Sequence, residues 1–354
     1  MTHTTLRLTT FSLGVAWALI GLTIRLAQGL GLHKECPKST PHAIKVERSK
    51  VWSTVIWQDS LLSITYDRAS PTASLERPTH YPSDTATAYG HWSYEECMYR
   101  LTRVGLDIVR ERATPQDPKA TMQRITEQKQ ELAEIISGAT EYLKDSRCCR
   151  SSRDQLQHWA LYLHMSYTMS ELCRPAISPN APHSELATSH KSTCIESLVN
   201  TVEAFLGLQN INSYASRSWA ATHRALSSAL LLGILREPKR NEKARMLLDK
   251  FVKFLYEVTS DIDPTEIAPP MKRSLQALTK LNNAIPTTSK PANAAAVDTA
   301  MAGSTEPINF GDWNLLDSPG WMNMSPLLSV GSSDSPYALI DQIIWGQKQS
   351  PVIQ

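Results

Sequence analysis

An all-α fold is predicted by two features of this 354-residue sequence. Apolar residues recur at three- and four-residue spacing over long stretches, while few segments alternate with period two. The Pro, Asn-Ser and Asp-Pro signals fall between those stretches and divide them into separate helices. A hydrophobic fraction of 42% suffices for one large helical domain or two smaller ones. The formal net charge of +2 gives no general pull toward nucleic acid or membrane, and no local basic patch stands out.

The first element runs through IRLAQGLGLHKE. Ile24, Leu26, Ala27, Leu30 and Leu32 recur at helical spacing, with Gly29 and Gly31 as C-terminal stop signals before His33, Lys34 and Glu35. This predicts a buried core helix. A rival reading starts from Arg7 and the apolar run Phe11 to Ile24, which imitates a secretory signal and is too short to span a bilayer. Arg25 and Gln28 speak against it by continuing the helix on a polar side.

The second helix is opened by Glu47, Arg48 and Lys50 and carries Val51, Trp52, Val55, Ile56, Leu62 and Ile64 on a broad apolar stripe. Asp59 sits near its centre, where a carboxylate is costly unless paired; Arg48 and Arg68 are its nearest candidates in sequence, a partner from another helix being the alternative. From Arg68 to Gly90 the chain is rich in Pro, Ser and Thr, the mark of a long surface connection.

Ser93 and Glu96 form a capping-box pattern for a third helix with Cys97, Met98, Leu101, Val104 and Ile108 inward. Pro115 and Pro118 bound the next turn. Ala120 to Leu143 then reads as one helix with Ile125, Leu132, Ile135 and Ile136 inward and Glu127, Lys129, Glu131 and Glu134 on a solvated face. Another runs from about Ser152 to Leu172, stopped by Pro175, its Trp159, Tyr162, Met165, Tyr167 and Met169 read as core. Helices follow over Leu186 to Leu208, Ser216 to Leu235, Lys239 to Ser260 and Glu266 to Asn283.

Two domains are therefore expected: a helical body over 11–283 with long loops, and a disordered tail over 284–354. Between Pro291 and Gln347 there is no Lys or Arg but six acids, a net charge of −6. Within it, Phe310, Trp313, Leu315, Leu316 and Trp321 stand among acids and prolines, the composition of an activation segment that a coactivator groove accepts as a short helix. The alternative is a tail that packs its aromatics back on the body. The cluster Tyr337 to Trp345 reads as a second such segment or as a final docked helix.

At the first two helices the chain resembles the middle regulatory domain of fungal zinc-cluster transcription factors. Arg25, Ala27, Leu30, Gly31, Leu32 and His33 match one family phrase; Arg48, Val51, Trp52, Asp59 and Arg68 match the next. Ile24 stands where Ala is common, and Ala69 and Ser70 separate Arg68 from Pro71. Arg174 and Pro175 match the Arg-Pro that ends a later helix. The resemblance implies a nuclear transcriptional regulator, or a fragment of one, serving a metabolic or secondary-metabolite gene set. It also implies a coactivator partner, a homo- or heterodimer, a small-molecule effector and no membrane.

Relatives read DNA through a six-cysteine zinc module. Here Cys36, Cys97, Cys148, Cys149, Cys173 and Cys194 are separated by 61, 51, 1, 24 and 21 positions, which match no zinc spacing. DNA contact is expected only indirectly or through a missing module, absent naturally or by truncation of the gene model. No catalytic motif or phosphate loop occurs, and His158 and His164 are too far round a helix for joint ligation. No enzyme activity, cofactor or metal is expected. The alternative class is a secreted or membrane-associated helical protein whose signal-like segment is the first helix.

Overall fold

The computed structural model describes residues 13–73, 75, 91–112, 117–177, 185–211, 218–260, 267, 269–283, 340, 343 and 344. Among them the chain is all-α, with ten α-helices and no strand: α1 (Leu13–Gly29), α2 (His42–Tyr66), α3 (Tyr94–Arg112), α4 (Pro118–Gly138), α5 (Glu141–Lys144), α6 (Ser152–Leu172), α7 (Glu185–Ile211), α8 (Trp219–Ile234), α9 (Glu242–Ser260) and α10 (Pro269–Asn283). Phe310, Trp313, Leu315, Leu316 and Trp321 lie outside the described residues, as does most of the connection after Arg68.

α6 and α7 pack along their length and form the spine, with α8 and α9 against α7, and α3 and α5 against α6. Large side chains meet at the crossings. Phe205 of α7 stands edge-on to Phe251 and Phe254 of α9 at 5.6 and 5.7 Å between ring centroids, within the spacing aromatic pairs favour. Gly207 admits the Trp159 ring so closely that a Cβ there would lie 2.5 Å from it. α2 and α3 approach through Gly105, whose Cβ would meet the Ser60 hydroxyl at 2.7 Å; Ser60 instead donates to the Thr102 carbonyl.

The expected helix over Ala120 to Leu143 is broken at Ala139 and Thr140 between α4 and α5. Gly138 makes room for the Trp92 ring, and the Trp92 backbone bonds the Gly138 carbonyl and the Thr140 amide at 2.7 and 3.1 Å. A contact 46 positions back in sequence thus takes the carbonyls and amides that continued helix would have used. The Ser93 cap is present, its hydroxyl accepting from the Glu96 amide, but the Glu96 carboxylate turns to Arg100 at 2.7 Å. A reciprocal capping box forms instead at Ser151 and Asp154, opening α6.

α1 departs from its expected burial. Ile24 and Ala27 are buried in a small core with Trp52, Val55, Ile56 and Leu106, whereas Leu26 and Leu30 are 61% and 70% exposed. The helix is apolar nearly all round, so periodicity could not tell which side faces the body. Val51 on α2 is likewise exposed.

Three residues from beyond 284 join the helical body. Ile340, Ile343 and Ile344 belong to the main core at 5%, 6% and 0% exposure. Arg273 of α10 donates to the carbonyls of Ile343 and Ile344 at 3.0 and 2.6 Å. The body's last contribution therefore comes from beyond 284, and of the two readings of Tyr337 to Trp345 these three residues adopt the docked one.

Candidate functional site: polar clusters joining α1, α2, α3, α6 and α8

Most of the described residues singled out in the sequence fall into three clusters. The first is the elbow between α1 and α2. Leu32 donates its amide to the Ala27 carbonyl and Gly31 to that of Gln28, at 3.0 and 2.9 Å, with Gly31 at φ 68°. This pattern of six-to-one and five-to-two bonds around a left-handed glycine closes a helix C-terminus. Arg48 reaches across from α2 and donates to the Leu30 and Gly31 carbonyls at 3.2 and 3.1 Å, putting a cation where the helix end carries partial negative charge. His33 lies 6.0 Å from the Trp52 ring. Arg25 is exposed on α1.

Asp59, fully buried, forms the second cluster, and neither arginine named for it is its partner. Its Oδ2 accepts from the hydroxyls of Ser70 and Thr72, both at 2.5 Å, and from the Thr72 amide at 3.3 Å. Ser63 donates to Oδ1 at 3.4 Å. Hydrogen bonds to a charged acceptor are about twice as strong as neutral ones, and this cradle folds the chain after α2 back onto the helix. Thr72 and Ala73 are consequently buried, although the sequence placed them in a surface connection. Arg48 is engaged at the elbow, and the Arg68 guanidinium lies over the Trp17 ring at 5.5 Å.

The third cluster gathers the ends of α2, α3 and α6. Asp67 ends α2 in the left-handed region, φ 50°, and its carboxylate meets Arg112 of α3 at 3.0 Å and Arg174 at 3.3 Å. Glu171 of α6 bonds Arg112 at 2.8 Å and lies 3.6 Å from Arg174. Two cations and two anions thus alternate. Burial opposes ionisation of Asp67, but Arg112 and Arg174 outweigh it and hold its pKa below the usual carboxylate value. Burial likewise opposes the charge on Arg112, and Glu171 and Asp67 more than restore it. Pro175 follows Arg174 in a 3-10 turn over Arg174–Ile177.

Beside this cluster lies Arg224 of α8, 1% exposed. Its guanidinium donates to the Leu61 carbonyl at 3.1 Å, to the Thr65 hydroxyl at 3.2 Å and to Nδ1 of His164, and stands 5.0 Å from the Tyr167 ring centroid. Burial draws its pKa down to about 10, so it remains charged at neutral pH. Burial and then the Arg224 charge hold His164 well below its ordinary value, and the same two causes draw His223 down to about 4. A neutral His164 is what an Nδ1 accepting from a cation requires.

Arg112, Glu171, Arg224 and His223 were missed in the sequence, and His164 was weighed there only as a metal ligand beside His158. Arg224 carried a signal: a lone charge within the apolar run of α8, the same anomaly that marked Asp59. Among the described residues no three His, Cys, Asp or Glu side chains gather for a metal ion, and no helix is long and apolar enough to cross a membrane. Chemically the clusters fix helix ends against one another. Neither a family model, nor a curated protein, nor a solved structure matches this chain.

Proposed function

We propose that this chain is the helical regulatory part of a nuclear transcriptional regulator, whose acidic-hydrophobic segment recruits the transcription machinery and whose DNA contact comes through a partner or a separate module. The observation that carries the reading is the convergence of the phrase residues. Arg48, Gly31, His33 and Trp52 meet at one elbow, Asp59 organises the turn that follows, and Arg174 closes on Asp67. Most of the phrase residues thus have contact partners within the helical body, which supports the reading. The net charge of −6 around Trp313, Leu316 and Trp321 supports the recruiting role, because like-charge repulsion keeps apolar groups available to a partner groove. By the resemblance, its targets are a metabolic or secondary-metabolite gene set.

The test fuses residues 284–354 to a heterologous DNA-binding module and measures reporter output. Output that collapses when Trp313, Leu316 and Trp321 are changed to Ala is the expected result. Equal output from both forms, or silence from both, refutes the recruiting role.

A further inference from the structure

The outward face of α1 presents an apolar surface that no described residue covers. Leu19, Leu22, Leu26 and Leu30 are 48%, 54%, 61% and 70% exposed, and their spacing of three, four and four places them on one side of the helix. Ala18 and Gly29 share that side and are also exposed. The Thr23 hydroxyl at its margin turns inward to the Leu19 carbonyl at 2.8 Å, and Arg25 is the one charge on the opposite margin. Ile44 and Val51 are also exposed, at 50% and 47%, on α2, whose Arg48 joins the C-terminal end of α1.

Gly29 has no role within the monomer that demands a glycine. A Cβ there would meet nothing within 4 Å, and its φ is not positive. An exposed helical glycine costs about 1 kcal/mol relative to alanine, and close approach by another helix is what such a position gives in return.

We propose that this face is a homodimer interface in which α1 packs antiparallel against α1 of a second copy. The occupant follows from self-complementarity. In an antiparallel pair centred near Ile24, Leu22 meets Leu26 of the second copy in the middle of the contact. Leu19 meets Leu30 along one flank, and Ala18 meets Gly29 along the other. The three pairings have nearly the same register, so one arrangement satisfies all of them, with the small pair letting the backbones approach and the leucines interdigitating beside it. The two Arg25 side chains stay at the solvated margin. The four leucines present on the order of 400 Å² per copy, within the range of apolar patches on monomers. Two copies then bury roughly 800 Å² of leucine surface, the size of a weak, reversible contact.

The experiment measures the mass of the full-length chain by light scattering and sedimentation across a concentration series, for the wild type, Leu22→Asp/Leu26→Asp and Gly29→Leu. The wild type is expected to dimerise in a concentration-dependent way. The double variant, changed only at exposed positions, is expected to keep its circular dichroism spectrum and melting temperature at monomer concentrations while its dissociation constant rises roughly 100-fold or more. Gly29→Leu separates a specific interface from general stickiness, since it adds apolar surface yet wedges the close approach. It is expected to weaken the dimer about 10-fold or more. A wild type that stays monomeric throughout, including one that instead floats with phosphatidylcholine vesicles, overturns the proposal. So does a dimer indifferent to the double variant, or one strengthened by Gly29→Leu.

Discussion

Asp67 combines two strains that substitution can separate. Its backbone sits in the left-handed region at φ 50°, and its carboxylate lies between Arg112 and Arg174. Asn tolerates the same backbone but removes the charge, leaving Glu171 alone to balance two guanidinium groups. Breaking a fully buried pair costs about 3–5 kcal/mol; with Asp67 at 31% and its arginines at 22% and 23% exposure, solvent screening lowers this to roughly 2 kcal/mol. Asp67→Ala loses the same charge and adds the left-handed penalty, about 1 kcal/mol more. Asp67→Gly relieves the backbone but frees the unfolded chain, and should fall near Asn. Urea denaturation at pH 7 is the assay, with circular dichroism at 222 nm as the probe. A value for Asp67→Asn within about 0.3 kcal/mol of wild type, below the usual effect of losing a charged hydrogen bond, would refute the pairing. Equal losses for Ala and Asn would refute the backbone argument. The pH dependence has a definite sign: a carboxyl held below its unfolded value stabilises the fold above about pH 4, and the contribution disappears as pH falls through the folded pKa.

Two further outcomes follow from buried groups. With His223 at about 4 when folded against 6.5 unfolded, the unfolded chain binds the extra proton between those values, so the residue lowers stability as pH drops from 6.5 toward 4. The wild type should lose roughly 2 kcal/mol more than His223→Phe between pH 7 and pH 5 in urea titrations, and parallel pH profiles would contradict this. Ile344→Ala should cost about 2–4 kcal/mol because the side chain is fully buried in the main core; an unchanged melting temperature would show that the segment around it is no part of the body.

Much of the helical body was legible because periodicity and capping are local properties. The spacing of α6 through α10 located each helix to within a few residues, and Gly31 announced its left-handed turn. The break after Gly138 was not legible, since the Trp92 backbone that enforces it comes from 46 positions earlier. Polar partners were legible only as a need. Asp59 stood out as a charge on an apolar helix, but two hydroxyls and an amide beyond the end of α2 satisfy it, where the sequence suggested an arginine. The partners of Asp67 lie 45 and 107 positions away.

What the sequence alone determined, then, is the class and placement of the helices, because a helix answers to its own three- and four-residue neighbours. Tertiary structure decided which side of α1 is covered, where Arg224 finds its acceptors, and that Ile340, Ile343 and Ile344 return to the core. Those choices rest on contacts between distant segments, where several faces of similar apolarity compete and only the assembled packing selects among them.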